Sequence, residues 1–154
     1  MQTIIVTGGA GYIGSHTIIE LLNKTAFKVV SIDNFSNSDS STYDRIKNIT
    51  GKDIETLQID LCNEQEINAK LSNYDNIAGI IHFAAFKSVP DSVANPILYY
   101  HNNLNSLLNL LRFAKNNRIN NFIFSSSCSV YGNADKLPVT EQTPLKKVES
   151  PYGR

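Results

Sequence analysis

The sequence predicts an α/β fold, in which a single parallel β-sheet has helices packed on both of its faces. Five apolar runs of strand length recur along the 154 residues, and helical patterns separate most of them. Such alternation is typical of parallel strands joined by right-handed helical crossovers. Two of the runs, 80–83 and 122–124, are apolar at almost every position, as in strands buried on both faces. The expected architecture is therefore a doubly wound parallel sheet.

The predicted elements follow the hydrophobic pattern in chain order. The strands are Thr3 to Thr7, Lys28 to Ile32, Glu55 to Ile59, Gly79 to Phe83 and Asn121 to Ser125. The helices are Tyr12 to Asn23, Thr42 to Ile49, Glu64 to Ser72 and Pro96 to Asn117. The last helix is apolar on more than one face, and the surplus packs either in the core or on another subunit. A further helix is predicted to begin at Pro151, because proline is favoured at the first helical position.

The segment that follows the first strand predicts a site for a dinucleotide pyrophosphate. It places Gly8, Gly11 and Gly14 between the strand and the helix. Gly8 suits a tight turn, Gly11 lets a phosphate approach the backbone, and Gly14 lets the helix pack closely on the strand. Glycines alone also occur in loops that bind nothing, but the order strand, turn and helix favours a Rossmann-type dinucleotide-binding domain.

An acidic residue at the tip of the second strand indicates which dinucleotide binds. Asp33 lies 19 positions after Gly14, where a carboxylate can accept both hydroxyls of the adenosine ribose. The negative charge would repel a 2′-phosphate, so we expect NAD rather than NADP. The polar loop from Asn34 to Thr42 is predicted to wrap the adenosine end, although a plain solvent loop fits its outer residues equally well.

Three further segments are expected at the carboxyl ends of the strands, where this fold binds its ligand. Asp60 either accepts a hydrogen bond from the adenine amino group or begins a turn. Ala84 is small enough to let the cofactor approach, and Lys87 either reaches a ribose or diphosphate or is a solvated charge. The serine run 125–129 places hydroxyls near the nicotinamide, unless these serines only bond to their own turn.

Tyr152 is the candidate base for proton transfer. A tyrosine is a poor base at its ordinary pKa of about 10, so adjacent positive charge must bring that pKa nearer neutrality. An oxidised nicotinamide would supply one charge, and a lysine one helical turn later would supply another. That lysine would be residue 156, whereas the sequence ends at Arg154.

These motifs resemble the extended short-chain dehydrogenase/reductase family, and most closely those members that epimerise nucleotide sugars at C4. The resemblance covers all 154 residues but only about the first half of such an enzyme. The matching segments are Thr7 to His16, Asp33 to Ser38, Ile81 to Val89, Tyr99 to Asn103 and Phe122 to Ser127. They are specific in combination rather than singly.

The resemblance implies roles for individual residues and for the whole enzyme. NAD would be held by Gly8, Gly11, Tyr12, Ile13, Asp33, Asn34, Asn37, Ser38, Asp60, Leu61, Phe83, Ala84, Lys87 and Asn102. Ser127 would bond the sugar hydroxyl, and Tyr152 would be the catalytic base. The implied reaction interconverts UDP-galactose and UDP-glucose through a 4-keto sugar with tightly bound NAD.

The resemblance also implies a domain organisation. Residues 1–154 would form the NAD-binding domain, without the second, sugar-nucleotide-binding domain. We therefore expect this chain alone to be inactive or nearly so. The full enzyme would be a homodimer paired through the helix from Pro96 to Asn117 and the helix begun at Pro151.

Two other functions compete with epimerisation. A nucleotide-sugar 4,6-dehydratase shares the glycine turn and Tyr152, but it typically carries an Asp-Glu pair after the serine run to expel water. Cys128-Ser129 occupies that position here, which counts against dehydration. The second rival is a non-catalytic NAD-binding module, in which Tyr152 is a surface residue.

The composition argues against several classes of partner. Fourteen basic and fourteen acidic residues give a net charge of zero, so neither nucleic acid nor an anionic membrane is expected to bind. We expect a cytoplasmic protein, because no signal segment or membrane-spanning run is present. Cys62 and Cys128 form no CxxC pair, and the three histidines lack metal-ligand spacing, so no disulfide framework or metal site is expected. His82 is expected in the core, and His16 and His101 at the surface.

Overall fold

The sheet consists of five parallel strands, as the sequence predicts. A computed structural model describes residues 1–154. Its strands are β1 (Thr3–Thr7), β2 (Lys28–Asp33), β3 (Glu55–Gln58), β4 (Ile77–His82) and β5 (Phe122–Phe124). All lie within two residues of their predicted bounds. The strand order is β3-β2-β1-β4-β5, so the doubly wound fold class is confirmed.

The helices also follow the prediction, with one addition. They are α1 (Tyr12–Lys24), α2 (Ser41–Thr50), α3 (Glu64–Leu71), α4 (Val89–Ala94) and α5 (Pro96–Asn116). The short helix α4 was not predicted. At Pro151 the structure has a single 3₁₀ turn, Pro151–Gly153, because only the i→i+3 bonds of a first turn can form before Arg154. No helix combines the length and the apolar character that crossing a membrane requires.

Two apolar clusters cover the two faces of the sheet. Neighbouring residues of β1 point to opposite faces, so Ile5 joins one cluster and Val6 the other. The Ile5 cluster includes Ile32, Ile59, Ile67, Ile80, Leu110 and Phe113, and the Val6 cluster comprises Ile18, Leu22, Val29 and Ile46. Burial on both faces explains why the central strands are apolar at almost every position.

The chain reverses its order across the sheet between β1 and β4. Thr7, the last residue of β1, pairs with Ile32 of β2 and with His82 of β4. The carboxyl ends of the three central strands are therefore level. In an open α/β sheet, the crevice at such a reversal is where a ligand binds.

His82 lies in the core, as predicted, directly beneath this crevice. Its side chain is 2% exposed and its Nδ1 is hydrogen-bonded to Thr7 Oγ1 at 2.6 Å. The rings of Phe122 and Phe124 lie about 6 Å from the imidazole, centroid to centroid. Burial disfavours the charged imidazolium and lowers the pKa of His82 to about 4.

This buried imidazole predicts a loss of stability in acid. As the pH falls from about 6.5 to about 4, the unfolded chain takes up a proton on His82 that the folded chain does not. The free energy of unfolding should decrease over this window by up to about 3 kcal/mol and then become independent of this residue. Urea denaturation at a series of pH values measures the effect.

Two variants isolate the contribution of His82. His82→Gln should have a much flatter pH dependence between pH 6.5 and 4. His16→Gln is the matched control, because it makes the same substitution on the exposed face of α1 and leaves the buried His82 in place. An unchanged acid slope in His82→Gln would show that other groups cause the loss.

Candidate cofactor site and its neighbours

A cleft of about 300 Å³ opens at the carboxyl ends of the central strands. Most of the predicted cofactor residues line it, and they come from five separate segments. They are Gly8, Gly11, Tyr12, Ile13, Asp33, Asn34, Asn37, Asp60, Leu61, Phe83, Ala84, Lys87 and Asn102. Tyr152 also lines the cleft, whereas Ser38 and Ser127 do not.

Close backbone contacts require two of the glycines. Gly8 has φ +70°, in the left-handed region, and a Cβ there would lie 2.7 Å from the backbone nitrogen of Ala84. A Cβ at Gly14 would lie 2.2 Å from the carbonyl oxygen of Gly8. These contacts hold the turn against β4 and the start of α1 against the turn.

Gly11 has a different environment, open to the cleft. A Cβ there would meet only the Gly8 carbonyl oxygen, at 3.2 Å. Gly11 is the N-cap of α1, and it has no side chain that could accept a hydrogen bond from the helix. The N–H groups of Tyr12, Ile13 and Gly14 therefore have no protein acceptor. Free N–H donors and the positive end of the helix dipole suit a pyrophosphate, so this part of the cleft fits a dinucleotide.

The Asp33 carboxylate lines the cleft next to the glycine turn and is 7% exposed. Its Oδ2 accepts from the backbone nitrogen of Ala10 at 2.9 Å, which ties the glycine turn to the tip of β2. Its Oδ1 accepts from the Phe35 nitrogen at 2.9 Å and from Ser38 Oγ at 2.8 Å. A carboxylate offers about four acceptor positions, so one remains for a ligand.

This arrangement bears on the expectation that Asp33 accepts both ribose hydroxyls. With Ser38 in place, the carboxylate has room for one of them. A second hydroxyl would have to replace the Ser38 donor. Ser38 therefore acts on the cleft through Asp33 rather than by lining it.

The third segment, after β3, contains Asp60, for which the turn is observed while the contact with the adenine amino group stays a prediction. The residue lines the cleft, and its Oδ1 accepts from the backbone nitrogen of Cys62 at 2.9 Å, as in an Asx turn. The next residue, Leu61, is buried. Lys87 also lines the cleft and is exposed, without an ion-pair partner.

Sequence reasoning missed Asn103, which fixes the loop after β4. Its Oδ1 accepts from the Phe86 nitrogen at 2.8 Å, and its Nδ2 donates to the Phe86 oxygen at 2.9 Å. The Asn102 amide donates to the same Oδ1 at 3.0 Å. Both asparagines were part of a matching segment, but only the fold shows that Asn103 faces Phe86.

A second cavity of about 330 Å³ adjoins the cleft. Ser127 lines it, together with leucines of α5, and Tyr152 lines both cavities. Ser127 is half-buried, and its Oγ accepts from the Ser129 nitrogen at 3.2 Å. The structure thus places the two predicted catalytic side chains beside a common cavity, with Tyr152 at its junction with the cofactor cleft.

The unpredicted helix α4 holds Tyr152 in this position. The Tyr152 nitrogen donates to Ser92 Oγ at 3.3 Å, and the fully buried Ser92 donates to the Val89 oxygen at 2.7 Å. A signal for α4 was present in the sequence. Ser88 caps the helix by accepting from the Asp91 nitrogen, and proline follows in the first turn, a common helix start.

Comparison with known proteins identifies the family to which these features belong. The family described as GDP-mannose 4,6 dehydratase matches residues 5–154. The chain belongs to this family. Similar curated proteins include the UDP-glucose 4-epimerases of Dictyostelium discoideum, 44% identical over 151 residues, and of Bacillus subtilis, 43% identical over 153. The resemblance to nucleotide-sugar epimerases, inferred from the sequence motifs, is confirmed.

Solved structures of UDP-glucose 4-epimerases are also similar to this member of the GDP-mannose 4,6 dehydratase family. A UDP-glucose 4-epimerase from Bifidobacterium longum, solved with NAD+ and UDP, superposes with a TM-score of 0.92 at 45% identity. The match covers 99% of this chain and 45% of that one. The two curated epimerases are covered over 43% and 44% of their length. The chain therefore spans less than half the length of these relatives and corresponds to their amino-terminal part.

Proposed function

We propose that residues 1–154 form the NAD-binding domain of a UDP-glucose 4-epimerase, a protein that interconverts UDP-galactose and UDP-glucose. The observation that carries the proposal is a single cleft lined by free N–H donors at the start of α1, by the Asp33 carboxylate and by Tyr152. Similarity to epimerases solved with NAD supports the choice of cofactor. The chain covers less than half of these relatives, which supports a longer protein, and we propose that its remainder binds the sugar nucleotide.

Some residues of this chain would bind the cofactor and the sugar, and Tyr152 would transfer the proton. NAD, when bound in this cleft, would supply reversible hydride-transfer chemistry. Tyr152 would take the proton from the sugar 4-hydroxyl, and Ser127 would hold that hydroxyl by a hydrogen bond. The N–H groups at the start of α1 would fix the pyrophosphate. Correct placement of the sugar C4 is the larger part of the protein's contribution.

A nucleotide-sugar 4,6-dehydratase is the second candidate, which the description of the family favours. Dehydration needs further acid and base groups to expel water, and Cys128 and Ser129 occupy the expected positions. Incubation of UDP-galactose with the protein that contains these residues distinguishes the two functions. An epimerase gives UDP-glucose of unchanged mass, whereas a dehydratase gives a product lighter by one water.

The proposed cofactor site predicts a preference for NAD that depends on Asp33. The chain should bind NAD more tightly than NADP in calorimetric titrations. Asp33→Asn should weaken NAD binding about 10- to 100-fold, because hydrogen bonds to a charged group contribute about 1.5–3 kcal/mol. The discrimination against NADP should shrink in the same variant, since the repelling charge is gone.

The matched control for this prediction is Asp39→Asn, on the exposed rim of the same loop. It removes an acidic charge without touching the cleft and should bind NAD normally. Thermal denaturation of both variants checks that the Ala10 turn, which Asp33 holds, still forms. Equal binding of NAD and NADP by the unaltered chain would contradict the role given to Asp33.

We also propose that the whole protein is a homodimer paired through α5. The exposed face of this helix carries Ile97, Tyr100, Leu104, Leu108 and Leu111 at spacings of three and four, which supports a helix-to-helix contact. A cytoplasmic location fits the two free thiols, Cys62 and Cys128, since disulfides are rare in reducing compartments.

A further inference from the structure

A buried amide on α5 bonds to the loop that forms one wall of the cofactor cleft. Asn109 is 6% exposed, and its Nδ2 donates to the Leu61 oxygen at 3.0 Å and to the Cys62 oxygen at 3.1 Å. Asn109 is the only protein donor to either carbonyl. A buried carbonyl without a donor is costly, so both carbonyls depend on this one side chain for their hydrogen bonds.

The orientation of the Asn109 amide follows from its neighbours. Arg112 Nη1 donates to Asn109 Oδ1 at 3.1 Å and also to Glu64 Oε2 at 3.3 Å. A guanidinium can only donate and a carbonyl can only accept, so the oxygen must face Arg112 and the nitrogen the loop. The ion pair of Arg112 and Glu64 therefore fixes the orientation of the Asn109 amide.

The helix face that carries Asn109 also reaches the cleft itself. Successive residues of an α-helix are separated by about 100°, which places Asn102, Ser106 and Asn109 on one side of α5. Asn102 and Ser106 line the cleft. Asn109 continues this face to the turn in which Asp60 Oδ1 accepts from the Cys62 nitrogen. Two hydrogen bonds from Asn109 thus link the Leu61–Cys62 backbone to α5, next to the longer contacts of Cys62 Sγ with the oxygens of His101 and Asn102.

We infer that Asn109 is a positioning residue for the adenine end of the cofactor, because it fixes the wall formed by Asp60 and Leu61. The inference rests on the proposed NAD site and adds a residue that touches no cofactor. Asn109 acts through the loop carbonyls. Its loss should let the Asp60 carboxylate shift from the position at which it would accept from the adenine amino group.

The test uses NAD and its hypoxanthine analogue, which has a carbonyl in place of the adenine amino group. Asn109→Asp keeps the shape and the acceptor toward Arg112 but removes both donations to the loop. Calorimetry should show NAD binding weakened about tenfold, equivalent to about 1.4 kcal/mol, and analogue binding weakened by less than about threefold. Asn105→Asp, the same change at a position on α5 without a side-chain hydrogen bond, is the control and should bind both ligands normally.

The possible outcomes separate this inference from the proposed function. If the unaltered chain binds no NAD, the cofactor proposal fails. If it binds NAD and Asn109→Asp loses both ligands equally, or neither, the positioning role is wrong. Asn109→Leu makes the same prediction without a buried charge, and failure of both variants to fold would assign Asn109 to stability alone.

Discussion

Gly14→Ala is expected to disrupt the start of α1 and to abolish NAD binding. The added Cβ would lie 2.2 Å from the Gly8 carbonyl oxygen, which also accepts from the Gly11 nitrogen at 3.1 Å. That oxygen belongs to backbone rather than to a flexible side chain, so the helix must move away from the turn. We expect a loss of about 3 kcal/mol in the free energy of unfolding, the upper part of the usual range for overpacking. Urea denaturation and calorimetry with NAD measure the two effects.

Gly11→Ala is the matched control, because it makes the same change three residues earlier. Its backbone, with φ −74° and ψ 171°, suits alanine, and its Cβ would meet only the Gly8 oxygen, at 3.2 Å rather than the 2.2 Å found for Gly14. Stability should fall by no more than about 1 kcal/mol, the ordinary cost of alanine at a helix cap. NAD binding should still weaken at least about tenfold, since the methyl group occupies the path of the pyrophosphate. Normal NAD binding by Gly11→Ala would contradict the placement of the pyrophosphate.

Tyr152→Phe is expected to remove almost all turnover from the protein that contains this chain. The variant loses the phenol oxygen proposed to take the sugar proton, and general base catalysis contributes about 10²- to 10⁴-fold. Conversion of UDP-galactose to UDP-glucose should therefore fall by about a thousandfold. The Tyr152 hydroxyl has no hydrogen-bond partner within the protein, so stability and NAD affinity should change little.

Tyr131→Phe provides the comparison for this result. Tyr131 is a half-buried tyrosine in the turn Cys128–Tyr131 and lines neither the cleft nor the adjoining cavity. Its variant should turn over UDP-galactose at the normal rate. Undiminished activity in Tyr152→Phe, with NAD bound, would remove Tyr152 from the proposed mechanism. A loss of NAD binding in the same variant would instead indicate a structural role.

Features that depend on neighbouring residues in the chain could be predicted from the sequence. The strands of the sheet follow from apolar runs, and the glycine turn follows from Gly8, Gly11 and Gly14 next to such a run. Tyr152 could be singled out because it follows a helix-starting proline. The matching segments pointed to the nucleotide-sugar epimerases, whose similarity over nearly the whole chain was then found.

Features that depend on contacts between distant segments could not be predicted in the same way. Asn103 and Asn109 are two of many asparagines, and nothing local distinguishes them from surface residues. Each becomes important because a loop brings unpaired backbone groups against α5. The short helix α4 was not predicted, although its N-cap Ser88 is a sequence signal for a helix start. The helix matters because Ser92 Oγ accepts a hydrogen bond from the Tyr152 nitrogen, 60 positions later in the chain.

Asp33 illustrates both what the sequence determines and what only the tertiary structure determines. The sequence by itself determined the sheet, the glycine turn and an acidic residue at the tip of β2, because strand burial and turn geometry are set by residues close together in the chain. Only the tertiary structure decided that the Ala10 nitrogen bonds to that carboxylate, that side chains of α5 hold the loops after β3 and β4, and that Tyr152 lies between two cavities. The reason is physical: hydrogen bonds of buried polar groups are satisfied by whichever segment the fold brings within reach, and sequence spacing does not specify that segment.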